Sequence, residues 1–557
     1  MMPSRRKFLQ SGLFTGAILG STPPLSASEE NTNSKKSNHA KSGTITFLQT
    51  TDVHCQLHPH DELFWENNQL TFRKAGGYAH LATALDVLRK QNPTNTIVMD
   101  TGDMFQGSML AIKTTGKAFV PLLNALNYDL YLPGNWEVVY NKQNMQHLMG
   151  GLLTPKVCAN MYHDAGDGKR GNLIFQPYQI FNRLGIKIGF LGYTDPLVPI
   201  RQSPMYSKGI IYAKPEESLK EYVTLLKEQE QCDFVILLSH LGLSQQIALG
   251  NNPDCKGVDY IFGADTHERV RKPIQAEYTK IVEPGAFGSF VGKLDLRVES
   301  GKITGDSYEL IEVDPKKYPA KKEIQELIEQ IEKPYRAEIN RIIGYSTLPL
   351  YRNFVVENTI DTLIVDALKW KVNTDIALSN GFRFCPPLTA GKDEKVAITE
   401  GYLFDMLPID SNVKTAKATG QQLMEWLEKE LQNVFAQDAS KRFGGWLIRF
   451  KGMQIEFKAK ERVGQRVQKV TIGGQPLNLD KTYTICACER DGDPDDMLCR
   501  LKGVKETRLT SYTLHTVMKE YLREFSPVTP ALRHDATILD APQNLLSQVF
   551  GVDYTFR

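Results

Sequence analysis

Five apolar runs, each closing on a carboxylate, an imidazole or an amide, constrain this chain more than any other feature. FLQTTDVH ends in Asp52 and His54, IVMDTGD in Asp100 and Asp103, and LYLPGN in Asn135. VILLSH ends in His240, and YIFGADTH ends in Asp265 and His267. The runs are short and rich in β-branched residues, so they read as buried strands. Open α/β sheets gather their ligands at the carboxyl ends of such strands. One Asp-x-His is an ordinary buried pair, and Gly-Asn is an ordinary turn. Five strand ends in succession with these residue types point to one shared site. Asp, His and Asn suit hydrolytic divalent cations, and without thiolates this is not a structural zinc site. Two such cations about 3.5–4 Å apart can share a carboxylate, hold a substrate oxyanion and turn a bridging water into hydroxide.

Helical segments separate some of the strands. In ESLKEYVTLLKEQEQ, Leu219, Tyr222, Val223 and Leu226 fall on one stripe. Strands alternating with helices predict a layered α/β domain over 43–314, its sheets flanked by helices. The charged stretch 315–345 reads as a helical connector. From 346 to 557 an amphipathic helix at TGQQLMEWLEKELQNVF and short strands with turn signals predict a smaller α+β domain. Among 557 residues the formal net charge is +2, so no strong field favours a nucleic-acid polymer as partner. Eight cysteines are too few for a disulfide scaffold. Cys486 and Cys488 share one face of a strand, where burial is the expected role.

The N-terminus pairs Arg5 and Arg6 ahead of SGLFTGAILG, and PLSAS offers a cleavage site near Ala27. This order predicts a twin-arginine-type signal peptide over 1–27, followed by a polar linker over 28–42. No later run approaches membrane length, so a periplasmic, monomeric protein is expected.

DVH, DTGDMFQGS, GNWE, SHLG and GADTHE resemble the signature blocks of the calcineurin-like metallophosphoesterases, in the order of the 5'-nucleotidase family. KAGGYAHLATAL (74–85), WEVVY (136–140), LSNGFRF (378–384) and GQRV (464–467) are most similar to the SoxB branch, the thiosulfohydrolases. The resemblance implies Asp52, His54 and His267 on one metal, Asp103 bridging, and Asn135, His240 and Asp265 on a second. Manganese is the first expectation for the two ions, with zinc, iron or magnesium as alternatives. Two departures stand out. Asp265 occupies a place usually held by histidine, and Trp136 and Val139 occupy the places of a His-Asp dyad that assists the leaving group in 5'-nucleotidases.

A sulfur leaving group needs less acid assistance than an alkoxide, which places a thiosulfohydrolase first. Its substrate would be a cysteine S-sulfonate on a carrier-protein arm. A periplasmic nucleotidase acting on small nucleotides is the alternative, and a non-enzymatic metal-binding module the third reading. Asp103 and Trp136 are then expected at the reacting centre, with Arg383 holding the oxyanion. Arg490, Asp491, Asp493 and Tyr140 are expected at the substrate, although no aromatic follows CERDGDPDD as a nucleoside pocket would require. His58 and His60 read as loop residues beside the first block.

Overall fold

Two sheets, not one, deliver the five strand ends. The computed structural model describes residues 42–380, 385–390, 395–443 and 446–545. The expected leader, most of the linker and Arg383 lie outside them. Strand Gly43–Thr50 lies between Phe290–Glu299, antiparallel, and Thr96–Asp100, parallel, and Leu130–Tyr131 follows beside the latter. The second sheet runs parallel through Ile186–Thr194, Phe234–His240, Tyr260–Phe262 and Lys280–Val282. The return of Phe290–Glu299 occupies the edge that a single continuous sheet would give to Phe234–His240. The sheets pack face to face. Phe47 meets Phe190, Phe234 and Phe262 at ring separations of 6.0–6.3 Å, and Gln49 Nε2 donates to the Gly263 carbonyl at 2.8 Å.

Helix Tyr78–Gln91 buries Tyr78, Leu81, Leu85 and Leu88 against the first sheet's core and ends in Arg89 and Lys90, favourable at a helix C-terminus. The stripe read at residues 219–226 forms a helix Leu219–Thr224 that runs on into a wider π-turn over Leu225–Gln229. Helix Lys322–Glu332 inserts Ile324 and Ile328 into the core of the preceding sheets.

After it comes a second five-stranded sheet, ordered Arg449–Lys451, Ile376–Ser379, Thr482–Cys488, Asn412–Thr419 and Lys505–Thr513. Helix Gly420–Phe435 packs on it through Leu423, Trp426, Leu427 and Leu431. Thr419 and Gln422 satisfy each other's backbone N–H at its start, a reciprocal cap worth about 1 kcal/mol. Asp361 anchors the end of strand Ile376–Ser379 by accepting from Ser379 at 2.7 Å. Burial works against its ionisation, but Arg352 and Arg449 outweigh it and hold the carboxyl below the usual range. Among the described residues no helix is long and apolar enough to cross a membrane.

Candidate metal centre

The loops that follow the strands are bent into conformations that side chains rarely adopt. Asp52 (φ 49°), His54 (49°), Asp103 (63°), Asp265 (82°) and His267 (61°) all have left-handed backbones. Each such residue costs on the order of 1–3 kcal/mol, and strain of this kind persists where packing over-determines it, commonly at functional sites. The result is two groups of ligand atoms, each within 4.8 Å of one another: Asp52, His54 and His267, and Asp52, Asp103 and His240. His54 Nε2 lies 3.1 Å from His267 Nε2, His240 Nε2 lies 3.3 Å from Asp103 Oδ2, and His267 Nε2 lies 3.5 Å from Asp52 Oδ1. Asp103 Oδ2 also lies 3.8 Å from His54 Nε2, so it faces both groups.

The donor set fits divalent cations. Asp52 Oδ1 and His240 Nε2 are buried without a hydrogen-bond partner, a costly arrangement for groups aimed at nothing. The other ring nitrogens are fixed from behind: His54 Nδ1 by the Gln106 carbonyl at 2.9 Å, and His240 Nδ1 by the Thr101 carbonyl at 2.6 Å. Burial, reinforced by His267, pushes His54 down to about 3, which leaves its imidazole neutral as a metal ligand must be. Asp52 is held below the usual carboxylate range: burial opposes its ionisation, but His240, His267 and His54 together prevail. Asp100 takes a different role. Burial raises it well above the usual range, and its oxygens accept from Thr50 at 2.6 Å and Gly102 N at 2.8 Å, which shapes the loop carrying Asp103.

Asn135 and Asp265 stand together beside the second group. Asn135 Nδ2 donates to Asp265 Oδ1 at 2.7 Å, and Arg201 Nη1 approaches Asp265 Oδ2 at 3.3 Å. Neither metal-sized group includes Asp265. Gly134 allows this crowding, because a Cβ there would lie 2.3 Å from Asp103 Oδ1 and 2.7 Å from His240. The backbone N–H of Trp136 donates to Asp103 Oδ1 at 2.8 Å, while its indole packs with Val139, Tyr140, Tyr206 and Ile409. Tyr140 Oη donates to Gln106 Oε1 at 3.3 Å.

Next to this centre, between the two halves, lies a cavity of about 290 Å³ whose walls include Trp136, Arg201, Tyr206, Phe443, Arg490 and Arg500. Asp491 and Asp493 line it too; Arg490 Nε donates to Asp493 Oδ1 at 2.6 Å, so that guanidinium is partly committed within its own turn. The Phe443 ring stands between two cations, 5.3 Å from the Arg201 guanidinium and 5.8 Å from that of Arg500. Cys488 opens onto the cavity and Cys486 onto the core, where Thr374 donates to its sulfur at 3.1 Å. His58 pairs with Glu332 at 2.7 Å and His60 with Ser289 at 2.9 Å, both away from the ligand atoms. Glu137, Arg201, Gln202 and Phe443 escaped the sequence reading. Of these, Glu137 alone belongs to one of the signature blocks, GNWE; it accepts from Met104 N and Tyr131 Oη.

Comparison with known proteins agrees with this geometry. Residues 45–269 match the calcineurin-like phosphoesterase model, and residues 337–489 match the 5'-nucleotidase C-terminal domain. Residues 45–269 therefore form a domain of the metallophosphoesterase hydrolase type, with a buried Asp/His metal-binding site. The chain joins this calcineurin-like domain to a 5'-nucleotidase C-terminal domain.

A 5'-nucleotidase of Vibrio cholerae is 24% identical over 88% of this chain and 92% of its own length. The trifunctional nucleotide phosphoesterase YfkN of Bacillus subtilis is 25% identical, but the chain spans only 30% of its length. In fold, the chain is similar to the sulfate thiohydrolase SoxB of Thermus thermophilus (TM-score 0.80, 21% identity, 90% of this chain and 98% of that one). It is similar also to a 5'-nucleotidase precursor of Thermus thermophilus (TM-score 0.75, 22% identity, 90% and 100%).

Proposed function

We propose that this chain hydrolyses small phosphate esters of the nucleotide class at a two-metal centre, in an extracytoplasmic compartment. The observation that carries the reading is a pair of ligand groups sharing Asp52 beside a 290 Å³ cavity walled by arginines and Phe443. Bound divalent cations supply Lewis-acid activation of the ester and of water. Asp52, His54, Asp103, His240 and His267 would hold them, with Asn135 beside His240. The protein's own contribution is positioning: the strained loops fix the ligand atoms, and the cavity wall carries two guanidiniums, Arg201 held by Asp195 and Asp265 and Arg500 held by Glu430. Phe443 offers the aromatic face missing from CERDGDPDD. Relatives from Vibrio cholerae and Vibrio vulnificus, matched over most of their length, are named as 5'-nucleotidases. A snake-venom relative and the twin-arginine-like leader of this chain support the location.

One observation favours a second reading, the thiosulfohydrolase that the sequence alone put first. Trp136 and Val139 present an apolar wall where an acid would assist a poor leaving group, and a sulfur anion departs without such help. The two readings separate in one assay of the manganese-loaded protein on 5'-AMP, a cyclic nucleotide and a peptide ending in cysteine S-sulfonate. Nucleotide turnover supports the first. Turnover of the sulfonated peptide alone overturns it.

A further inference from the structure

We propose that Asp265 does not ligate a metal but positions Asn135 from behind, with its other oxygen held by Arg201. The proposal rests on the metal-centre reading, and not on which substrate is hydrolysed there.

Both oxygens of Asp265 are already engaged. Oδ1 accepts from Asn135 Nδ2 at 2.7 Å and Oδ2 faces Arg201 Nη1 at 3.3 Å. A carboxylate only accepts, so it dictates which end of the Asn135 amide faces it, and the amide oxygen must point the other way. That oxygen takes one hydrogen bond, from Gln202 Nε2 at 3.2 Å, and keeps a second lone pair. The carboxylate packs against Gly242, whose missing side chain makes room for it. A Cβ on Gly242 would lie 2.8 Å from Asp265 Oδ2, and the backbone N–H of Asp265 donates to Asp52 Oδ2 at 3.2 Å. Arg201 is shared as well. It pairs with Asp195 at 3.0 Å and donates to the Phe443 carbonyl across the cavity.

The arrangement has two consequences. The guanidinium offsets only part of the charge that an aspartate adds at this place, because Asp195 shares it. The segment bearing Phe443 and the orientation of Asn135 also depend on one side chain, so the cavity wall is tied to the ligand loop.

Manganese titration of the full chain, followed by calorimetry and by the free-ion electron spin resonance signal, tests this. The wild type should bind two equivalents. Asp265→Ala should weaken the second by about 10–100-fold, as loss of an orienting partner does, and Asn135→Ala by at least as much. Asp265→Asn keeps an acceptor for Asn135 and should restore two equivalents to within about 10-fold of the wild type. Equal loss in Asp265→Asn and Asp265→Ala overturns the proposal, as does an unaltered Asp265→Ala or fewer than two equivalents in the wild type. So does a manganese-soaked crystal placing an Asp265 oxygen about 2.0–2.2 Å from the ion. A protein that binds two equivalents yet turns over only S-sulfonates would overturn the nucleotide reading and leave this one standing.

Discussion

The backbone N–H of Trp136 donates to Asp103 Oδ1 at 2.8 Å, while the indole on the same residue is buried with Val139, Tyr140, Tyr206 and Ile409. One residue thus positions a metal-facing carboxylate through its main chain and walls the site through its side chain. The two roles are separable, because a substitution at Trp136 retains the N–H.

Replacing the wall by a titratable pair tests what the indole costs. Trp136→His with Val139→Asp should leave metal content unchanged and raise phosphomonoester turnover, by up to the roughly 10²-fold that a positioned acid contributes. Steady-state kinetics on 5'-AMP with metal analysis in parallel would check it. A fall in turnover at full metal occupancy contradicts the argument.

Gly134 should be intolerant of any side chain. Its added Cβ would meet Asp103 Oδ1 at 2.3 Å and the Asp103 backbone N at 2.6 Å. Gly134→Ala should destabilise the fold by about 1–3 kcal/mol, the usual cost of overpacking, and displace Asp103 enough to lose metal. Thermal unfolding with a metal assay would show both; an alanine variant with wild-type metal content refutes it.

Asp405 links the second half to the ligand loop. Its carboxyl hydrogen-bonds the Gln56 side chain, which donates to the Gly107 carbonyl at 3.0 Å. Burial pushes Asp405 up to about 8 from an ordinary 3.8. The folded state therefore keeps a proton that the unfolded chain gives up, so the contribution of Asp405 to stability is greatest below pH 3.8 and falls as pH rises towards 8. Asp405→Asn should flatten that slope. Melting temperatures of both proteins at about pH 5 and about pH 8 would reveal it; parallel pH profiles would refute it.

The His267 loop is held by a buried ion pair, Arg269 with Glu62. Burial opposes the charge on Glu62, but Arg269 and His60 hold its carboxyl at about 2 instead of 4.5. The pair's stability is present above pH 4.5 and is lost as pH falls through 2. Arg269→Met strands the buried carboxylate and should cost about 3–5 kcal/mol at neutral pH. Arg269→Met with Glu62→Gln should recover much of it, measured by denaturant unfolding. No recovery would mean the pair is not the source.

How much of this was legible in the sequence follows from distance along the chain. The strand ends were readable because each ligand lies within a few residues of an apolar run. The division of those runs between two sheets was not, since it depends on where Phe290–Glu299 pairs. Arg201, Gln202 and Phe443 reach the site across 64, 67 and 242 residues and carry no local pattern. Asp265 shows the limit best: its sequence place reads as a ligand, and only the geometry brings both of its oxygens to Asn135 and Arg201. Arg383 falls outside the described residues.

The central claim is nucleotide hydrolysis at a metal centre built on Asp52 and Asp103. Phosphate release from 5'-AMP, followed as manganese is titrated into the chelator-stripped protein, tests it most directly. Turnover should climb until two equivalents are bound and be absent in Asp103→Asn. Turnover indifferent to chelation, or nucleotide left intact by a protein that cleaves the S-sulfonated peptide, would contradict it.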